Sequence, residues 1–412
     1  MTKPSPTCRS CGHVPLSPIL SLGETPLANA LLSRAQLATT EPRFPLDLAF
    51  CPECTLVQIT QSVPPEMMFR EYMYFSSFSD TMLEHARTIA ERMIAERKLG
   101  PGSLVIEIAS NDGYLLKNYL QHGVPVLGVE PASNIAKVAR EQHGIDTIEE
   151  FFGTEIARSL ATEGRQADVL HANNVLAHVP DLNGFIGGIA TVLKLNGIAV
   201  IEVPFLLDMF DKLEFDTIYH EHLCYFSLTA LDALFRRHGL SVVDVERHKI
   251  HGGSLRLFAA KAASGQAASP AVAALLAEEA AWHVRDYKRY QDFGARVGVL
   301  KADLVGLLTR LKGEGKTVAA YGASAKGATL LNTFGIGSQF LDYIVDRSTV
   351  KQGHFAPGTH LEILSPDVLA RRKPDYLLLL AWNFADEILR QQNAYREAGG
   401  RFIIPIPTVA VV

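Results

Sequence analysis

A polar strip at residues 216–227, DTIYHEHLCYFS, carries the densest set of chemically useful side chains in the sequence. It places Tyr219, His220, Glu221 and His222 in consecutive positions, shortly after an apolar stretch, IEVPF, that is typical of a strand. Imidazole titrates near neutral pH, a carboxylate stabilises an imidazolium, and a phenol donates a hydrogen bond to developing negative charge. We therefore predict acid–base catalysis, with His222 as the base and Glu221 and Tyr219 in support.

Two other interpretations of the strip remain open. Clustered histidine and carboxylate side chains can bind a metal ion, although adjacent residues rarely converge on one ion and no second cluster supplies the missing ligands. The strip can also be a solvated polar loop. The preceding strand favours the catalytic interpretation, because strand ends of an open α/β sheet face the ligand crevice.

Two further segments are expected to reach the same crevice. One follows a predicted strand and contains Asn173 and His178. The other is the aromatic run at 69–77, FREYMYFSS, in which Tyr72 and Tyr74 carry hydroxyls that need partners if they are buried. Because this run joins the N-terminal segment to the next domain, we predict a lid there, with ordinary core packing as the alternative.

Residues 104–131 have the pattern of a nucleoside-binding strand, turn, helix and second strand. The turn S-N-D-G at 110–113 follows a strand that carries Glu107, and the second strand ends at Glu130, where a carboxylate can accept hydrogen bonds from both ribose hydroxyls. The pyrophosphate of NAD or FAD needs the close approach that three glycines allow, and this turn has one. S-adenosylmethionine has no phosphate and is the predicted cofactor; a ligand-free strand and helix is the alternative.

Four of the five cysteines lie near the N-terminus, as Cys8-x-x-Cys11 and Cys51-x-x-Cys54. Two such pairs in one short region are typical of a structural tetrahedral Zn²⁺ site whose four positions are all filled by thiolates. A redox-active pair is the alternative function, and His13 is a rival ligand.

Composition limits the class of protein. The 412 residues are 48% apolar and 20% charged, close to the globular average, and no apolar run is long enough to span a membrane. A net charge of −5 argues against a nucleic-acid-binding face, so a small-molecule substrate is expected. Because the N-terminal sequence lacks a signal-peptide core, we expect a cytoplasmic protein without disulfides, in which the fifth cysteine, Cys224, is a packed thiol.

The segments that must position these residues alternate between helix and strand patterns. A helix is predicted at 80–98, and strands at 103–109, 125–130, 168–172, 197–203, 241–247 and 254–260. This alternation indicates a mostly parallel sheet covered on both faces, with the last two strands as antiparallel edge strands. Residues 261–275 are small and include a proline, which predicts a linker.

The strand and helix pattern restarts after this linker. KTVAAYGASAKGATLLNTFG (316–335) again has the order strand, small-residue turn and helix, and further strands are predicted before Asp346 and at 374–382 and 401–407. We therefore predict an α/β protein with a zinc-binding lobe (1–70), an S-adenosylmethionine-binding methyltransferase domain (71–262) and a second Rossmann-like domain (276–412).

The turn GASAKG at 322–327 is a candidate nucleotide site. It opens a helix, where backbone amides, the helix dipole and the ammonium of Lys326 can receive a diphosphate. A packing turn is the alternative.

The paired CxxC motifs, EIASNDGYLL, GVEPASN, IYHEH, HGGSLR and YGASAKG occur in an order that resembles the sugar C-methyltransferases acting at C-3 of nucleotide-linked 4-keto-deoxysugars. The resemblance spans nearly the whole chain. It implies an N-terminal zinc lobe, a central class I methyltransferase domain and a C-terminal domain of related fold that helps to hold the nucleotide.

The resemblance and the patterns above assign the candidate site residues. The catalytic set is His222, Glu221, Tyr219, Tyr72 and His178, and the cofactor set is Glu107, Ala109, Asn111, Asp112, Gly113, Glu130, Pro131 and Asn173. The substrate set is Tyr74, Ser324, Lys326 and Asn332, and the zinc set is Cys8, Cys11, Cys51 and Cys54. The glycine that often follows the first acid in this family is Ala109 here.

The implied reaction begins with deprotonation, because a sugar carbon becomes nucleophilic when a proton beside a carbonyl is removed. We expect His222 to take the C-3 proton of a nucleotide-diphosphate 4-keto-deoxysugar, Tyr219 or Tyr72 to donate to the enolate oxygen, and C-3 to attack the sulfonium methyl. An O-methyltransferase, a nicotinamide-dependent nucleotide-sugar oxidoreductase and a non-catalytic nucleotide-sugar-binding protein remain alternatives. The identities of the nucleotide and sugar, the C-3 stereochemistry and the oligomeric state stay open.

Overall fold

The computed structural model describes residues 6–69, 76–78 and 80–412, and these residues form three β-sheets with helices packed around them. Tyr72 and Tyr74 of the predicted lid lie outside the described residues.

The described residues contain seventeen strands and fifteen α-helices. The strands are β1 (Ser17–Thr25), β2 (Phe44–Phe50), β3 (Val57–Ile59), β4 (Val105–Ile108), β5 (Val126–Val129), β6 (Thr147–Ile148), β7 (Ala167–Asn173), β8 (Leu193–Pro204), β9 (Cys224–Tyr225), β10 (Leu240–His248), β11 (Ser254–Lys261), β12 (Val318–Tyr321), β13 (Ile344–Val345), β14 (Ile363–Leu364), β15 (Tyr376–Leu379), β16 (Arg401–Ile404) and β17 (Ala410–Val411). The helices are α1 (Glu66–Phe69), α2 (Asp80–Arg97), α3 (Leu116–Leu120), α4 (Ser133–His143), α5 (Thr154–Thr162), α6 (Leu182–Val192), α7 (Leu206–Asp211), α8 (Leu228–Arg237), α9 (Pro270–Ala281), α10 (Lys288–Gln291), α11 (Phe293–Gly313), α12 (Ala325–Phe334), α13 (Leu369–Arg372), α14 (Ala385–Gln391) and α15 (Asn393–Glu397).

The N-terminal sheet is antiparallel and has the order β1-β2-β3-β9. Leu46, Leu48 and Phe50 of β2 are buried while Asp47 between them is more exposed, as the two-residue period of a half-buried strand requires. The fourth strand, β9, comes from far downstream and lies within the predicted catalytic strip, shortly after His222. The N-terminal lobe is therefore completed by the central part of the chain.

The central sheet has the order β10-β11-β8-β7-β4-β5-β6. The neighbouring pairs from β8 to β6 are parallel, so the loops after β4 and β7 open at one edge beside the point where the strand order reverses. The predicted antiparallel edge is confirmed, since β10 pairs antiparallel with β11 and β11 pairs antiparallel with β8. Because β11 is antiparallel to both β8 and β10, strand β10 runs in the same direction as β8. Only β11 therefore runs against the other strands of this sheet.

Helix α2 confirms the helix predicted at 80–98, and it packs on the central sheet through its apolar face. Met82, Ile89 and Met93 are buried at the predicted helical spacing. Among the described residues, no helix combines the length and the apolar character that crossing a membrane would require.

The C-terminal sheet has the order β14-β13-β12-β15-β16-β17 and is parallel except for β17. Helix α12 follows β12 through the turn predicted at 322–327, in agreement with a second α/β unit.

The predicted linker at 261–275 is wrong in its second half, because helix α9 begins at Pro270. Proline is favourable in the first turn of a helix, and the alanines and leucines that follow are strong helix formers. Val272 and Leu275, three positions apart, are buried, so the helix is held by packing. Glu279 of α9 accepts hydrogen bonds from the backbone N–H groups of Leu228 and Thr229 and thereby caps α8.

Candidate active site and metal centre

His222 is held by hydrogen bonds at both ring nitrogens. Nδ1 lies 2.9 Å from the carbonyl oxygen of Thr217, and because a carbonyl only accepts, Nδ1 carries the proton. Nε2 lies 2.9 Å from the hydroxyl of Tyr219, whose ring is tilted against the imidazole at a centroid distance of 4.1 Å. In the neutral ring Nε2 is an acceptor, so the lone pair that a base would use faces the phenol.

His178 lies beside this pair, with its ring edge-to-face against His222 at a centroid distance of 4.8 Å. Burial lowers the pKa of His178 to about 4, so the ring is neutral at physiological pH. Its Nδ1 is buried and has no hydrogen-bond partner within the described part of the chain. Phe69 packs edge-on against it at 5.6 Å. The structure thus brings together three residues of the predicted catalytic set: Tyr219, His222 and His178.

The other two residues of the strip contact the N-terminal lobe. Glu221 Oε1 accepts a hydrogen bond from the side-chain amide of Asn29 at 2.7 Å. His220 Nε2 lies 3.2 Å from each of two backbone carbonyls at the start of β2, and burial lowers its pKa. His220 therefore has a structural role, since it connects the strip to β2. The support of His222 by Glu221 stays a prediction.

Backbone hydrogen bonds anchor the strip on both sides. The N–H of Leu223 donates to the carbonyl of Ala177 at 2.7 Å, and the Leu223 carbonyl accepts from the N–H of Ile59 at 3.0 Å. β9 then pairs with β3, which belongs to the N-terminal lobe. Cys224 in β9 is buried, which confirms the predicted packed thiol. The lobe and the loop after β7 thus fix the position of His222.

The turn after β4 has a contorted backbone that a carboxylate stabilises. Ala109, Asn111 and Gly113 have positive φ angles of 53°, 49° and 80°. Glu130, after β5, accepts from the Asn111 N–H at 3.0 Å through Oε2 and from the Ala132 N–H at 2.9 Å through Oε1. Because each carboxylate oxygen has a second lone pair, the predicted ribose contact of Glu130 stays compatible with this role.

Three carboxyl groups are buried together at this turn: those of Glu107, Asp112 and Glu130, which are 1%, 1% and 5% exposed. Glu107 Oε2 and Asp112 Oδ1 have no hydrogen-bond partner among the described residues. Burial, reinforced by the neighbouring carboxylates, raises the pKa of Glu107 well above its ordinary value, and burial raises that of Glu130 to about 7. Such a pocket favours a cationic ligand and disfavours a dinucleotide pyrophosphate.

The segment 76–78 covers the turn. The Ser76 N–H donates to Asn111 Oδ1 at 2.9 Å, and the Ser77 N–H donates to Asp112 Oδ2 at 3.3 Å. The end of the predicted lid segment therefore contacts the candidate cofactor loop.

Asn173 and Pro131, the remaining predicted cofactor residues, are partly exposed at the carboxyl ends of β7 and β5. Asn173 Oδ1 has no hydrogen-bond partner within the described ranges, and Asn173 pairs in register with Glu202 of β8. Glu202 forms a buried ion pair with Arg256 at 3.0 Å and lies 2.9 Å from His85 Nε2. This network beside the crevice was not predicted, since its members come from three separate elements.

The side chains of Ser324 and Lys326, at the turn predicted to receive a diphosphate, already have partners within the protein. Ser324 is the N-cap of α12 and accepts from the Gly327 N–H at 3.0 Å. Lys326 Nζ lies 3.7 Å from Glu214 Oε2 and 4.6 Å from the centroid of a Trp382 ring. A diphosphate at this turn would therefore rely mainly on backbone N–H groups.

Asn332, also predicted to contact substrate, binds backbone carbonyls through its side-chain amide. Its Nδ2 donates to Ala328 at 2.8 Å and to Pro357 at 3.1 Å, which connects α12 to a neighbouring loop. The substrate contacts of Asn332, like those of Tyr74, stay predictions.

Several residues that organise the site were missed from the sequence. Asn29 and Trp382 bind side chains of the region around the strip from 192 and 166 positions away, and no local pattern indicates such contacts. Glu214 and Asp216 are different. Glu214 lies just before the strip and Asp216 is its first residue, both in a segment with apolar neighbours, and that pattern could have indicated a buried charged cluster.

The four cysteines of the predicted zinc set form one cluster in which all ligand atoms lie within 4.8 Å of one another. Cys8 Sγ and Cys54 Sγ are 3.4 Å apart, and Cys11 Sγ and Cys51 Sγ are 3.6 Å apart. The residue after each CxxC pair has a left-handed backbone, with φ angles of 77° at Gly12 and 64° at Thr55, so the two turns are alike. Four thiols presented by two such turns fit tetrahedral Zn²⁺.

Comparisons with known proteins cover each part of the chain. Three family models match: a putative zinc binding domain at residues 8–69, a methyltransferase domain at 82–245 and a C-methyltransferase C-terminal domain at 249–407. C-methyltransferase NovU from Streptomyces niveus is 39% identical over 412 residues, which cover 100% of this chain and 98% of that protein. A ubiquinone biosynthesis O-methyltransferase from Bartonella tribocorum is 28% identical over 131 residues, 30% of this chain and 52% of that protein.

One similar solved structure is that of magnesium protoporphyrin IX methyltransferase from Synechocystis PCC 6803 with bound S-adenosylmethionine. It has a TM-score of 0.33 and 15% sequence identity, over 43% of this chain and 78% of that chain.

The strand order of the central sheet, the acidic turn after β4 and the methyltransferase model together define a class I S-adenosylmethionine-dependent methyltransferase. The cysteine cluster fits its structural zinc. The chain belongs to the C-methyltransferase family, as its full-length similarity to NovU and its C-terminal domain show. The family resemblance predicted from the sequence is thereby confirmed, and the enzyme is a C-methyltransferase rather than an oxidoreductase or a non-catalytic binding protein.

Proposed function

We propose that this enzyme methylates C-3 of a nucleotide-linked 4-keto-deoxysugar. The observation that carries the proposal is the pair formed by Tyr219 and His222, in which His222 Nδ1 is fixed on the Thr217 carbonyl and Nε2 faces the phenol. Methylation of carbon requires a base beside an acidic C–H and a donor beside the carbonyl oxygen, and this pair supplies one of each.

S-adenosylmethionine, when bound, supplies a methyl group on a positively charged sulfur. The pocket at the β4 turn fits this cofactor, because the unpartnered oxygens of buried Glu107 and Asp112 favour positive charge. We assign Glu130 to the ribose hydroxyls. The residues assigned to the remaining cofactor contacts are Ala109, Asn111, Gly113, Pro131 and Asn173.

In the proposed reaction His222 Nε2 accepts the C-3 proton, and the electron pair of the broken C–H bond moves into the enolate. Tyr219, released from Nε2, donates a hydrogen bond to the enolate oxygen. The neutral ring of His178 packs edge-to-face against His222 beside the reacting atoms. C-3 then forms a bond to the methyl carbon as the carbon–sulfur bond breaks, with both electrons remaining on sulfur. The proton on His222 passes to solvent, and Glu221 stabilises the imidazolium until then.

We place the nucleotide diphosphate at the 322–327 turn, where the N-terminal amides of α12 can bind phosphate oxygens. Tyr72 and Tyr74 are proposed to contact the sugar. The four zinc-binding thiolates require a reducing compartment, which favours the cytoplasm.

O-methylation of a sugar or other small molecule is the alternative that the membership in the C-methyltransferase family opposes, since the similarity to an O-methyltransferase covers only 30% of the chain. A hydroxyl acceptor needs a base but no carbonyl stabiliser. The two reactions differ in whether a substrate without a keto group is methylated.

The test is incubation of the enzyme in deuterated water with labelled S-adenosylmethionine and a panel of nucleotide 4-keto-deoxysugars. We expect enzyme-dependent deuterium incorporation at C-3 and a product with a new carbon–methyl bond by mass spectrometry. His222→Gln should lose both signals by about a hundredfold or more, in keeping with the size of general-base effects. The exposed His283, changed to Asn, is the matched control and should retain both.

Methyl transfer to oxygen, or to a substrate without a ketone, would replace this proposal with the O-methyltransferase. Full turnover in His222→Gln would reject the assigned base.

A further inference from the structure

The turn that orients His222 is itself buried against the C-terminal part of the chain. It comprises Phe215, Asp216 and Thr217, which are 0%, 0% and 3% exposed. Thr217 supplies the carbonyl to which His222 Nδ1 donates. A displacement of this turn would therefore change the orientation and tautomer of the candidate base.

Two side chains from the C-terminal part hold the turn. The indole N–H of Trp382 donates to Asp216 Oδ2 at 2.7 Å. The ring of Phe334 stacks on Phe215 at a centroid distance of 4.8 Å and an interplanar angle of 17°. Both contacts are made within two residues of the Thr217 carbonyl.

A charged cluster strengthens this contact. Lys326 Nζ lies over the Trp382 ring and 3.7 Å from Glu214 Oε2, next to the turn. Asp216 Oδ1, Glu214 Oε1 and Lys326 Nζ are buried and have no hydrogen-bond partner in the described residues. Displacing one member of this cluster would leave a buried charge without a partner, which is strongly destabilising. The cluster therefore resists movement of the turn.

The packing around the cluster leaves little freedom. Gly252, in the HGGSLR motif, has a φ angle of 96°, and a Cβ atom there would lie 2.4 Å from Glu214 Oε2. The HGGSLR motif therefore permits the close approach of the Glu214 carboxylate.

We propose that Trp382 and Asp216 are positioning residues for the candidate base: the Trp382–Asp216 hydrogen bond holds the 215–217 turn, and the Thr217 carbonyl of that turn holds His222 Nδ1. The C-terminal domain thus sets the geometry of the base as well as carrying the predicted nucleotide site. This inference rests on the proposed role of His222 as the base.

The experiment compares Trp382→Phe, Asp216→Ala and the double variant, with Asp216→Asn as the conservative variant that keeps an acceptor for the indole N–H. Trp282→Phe is the matched control, because its indole donates to Asp211 at 2.9 Å on the surface instead of to the turn. Ring-¹⁵N-labelled histidine, with the His222 signal assigned from the His222→Gln spectrum, reports the tautomer and titration of His222 without any turnover. Methyl transfer is measured in parallel over a range of pH.

We expect His222 to be protonated at Nδ1 in the wild type, in Trp282→Phe and in Asp216→Asn. In Trp382→Phe and Asp216→Ala we expect a mixture of tautomers, a shifted His222 titration and a kcat about tenfold lower, with KM for S-adenosylmethionine within twofold. The double variant should resemble either single variant, since all three lack the same hydrogen bond.

An unchanged His222 tautomer and titration in folded Trp382→Phe and Asp216→Ala would overturn the inference. Additive losses in the double variant, or equal losses in Trp282→Phe, would also count against it. Failure of the proposed function has a different signature: His222→Gln would retain full turnover, while Trp382→Phe and Asp216→Ala would still show the shifted His222 tautomer.

Discussion

Asn29 donates a hydrogen bond to Glu221 at 2.7 Å, although 192 positions separate the two residues. Asn29 belongs to the N-terminal lobe, and Glu221 is the direct neighbour of the candidate base. The position of the catalytic strip therefore depends on the position of the lobe. Lobe and active site are therefore expected to respond together to mutation.

Asn29→Ala tests this coupling. Loss of a donor to a buried carboxylate should lower the free energy of unfolding by about 1–3 kcal/mol, and kcat should fall by about tenfold as Glu221 loses its orientation. Asn393→Ala removes a comparable bond to Glu397 on an exposed helix and should leave both quantities nearly unchanged. Denaturant titration and initial rates provide the measurements, and equal effects of the two substitutions would contradict the coupling.

Removal of the zinc should inactivate the enzyme, although no step of the reaction needs the metal. Metal loss or Cys51→Ser should unfold the lobe and, through the pairing of β3 with β9, release the strip that carries His222. We expect about one zinc per chain in the wild type, and loss of metal, methyl transfer and thermal stability together in Cys51→Ser. Cys224→Ala should keep its zinc; activity that persists after complete chelation would disprove the link.

The affinity for S-adenosylmethionine should rise with pH. Burial raises the pKa of Glu130 from 4.5 to about 7, so between these values the folded protein keeps a proton that the unfolded chain has lost. The Glu130 carboxyl contributes its full stabilisation of the fold below pH 4.5, and this contribution is lost as the pH rises through about 7.

A bound cation near Glu130 favours the ionised carboxylate. The affinity for the cation should therefore increase by up to about tenfold per pH unit below the pKa of Glu130.

Calorimetric titrations at several pH values in buffers of different ionisation enthalpy measure both the affinity and the released protons. S-adenosylhomocysteine, which lacks the sulfonium charge, should show a shallower dependence. Glu107→Gln should weaken S-adenosylmethionine binding, because it removes one carboxylate of the buried group. A flat pH profile without proton release would show that these carboxyls do not face the cofactor.

Gly113 should tolerate no side chain. A Cβ atom there would lie 2.2 Å from Ile145 Cδ1, and the φ angle of 80° is unfavourable for other residues. Gly113→Ala should cost about 2–4 kcal/mol in unfolding free energy and abolish measurable cofactor binding. Gly123→Ala has a similar φ of 70° but open space, so it should cost only about 1–2 kcal/mol.

The double variant Gly113→Ala, Ile145→Val separates the two causes, since it removes the clashing methyl group and leaves the backbone strain. We expect partial recovery of stability. Full recovery would mean that the φ angle contributes little, and no recovery would mean that the clash with Ile145 is unimportant.

Features encoded in short stretches of sequence were predictable. The S-N-D-G turn, helix α2 and the two CxxC turns depend on local spacing and backbone preference, and the structure has them where the patterns indicate. The sequence also contains the apolar spacing of α9, but its small residues and proline favour a linker, and the burial of Val272 and Leu275 depends on the fold.

Contacts between distant segments were not predictable. The direction of β10 follows from its pairing with β11. The sequence predicts Lys326 as a phosphate ligand, whereas the packing of two domains directs it toward Glu214. A lysine at a helix start has the same local signature in either role. The cofactor pocket was accessible to sequence reasoning because its acids lie on one strand–turn–strand unit, whereas the support of His222 comes from both ends of the chain.

The pairing of β3 with β9 limits how this family can be engineered. Val57 and Gln58 form main-chain pairs with Tyr225 and Cys224, so a chimera that exchanged only the first 70 residues would combine strands of different origin in one sheet, right beside the base. Recombination between relatives should succeed when the 219–225 segment is exchanged with the lobe, as a discontinuous cassette.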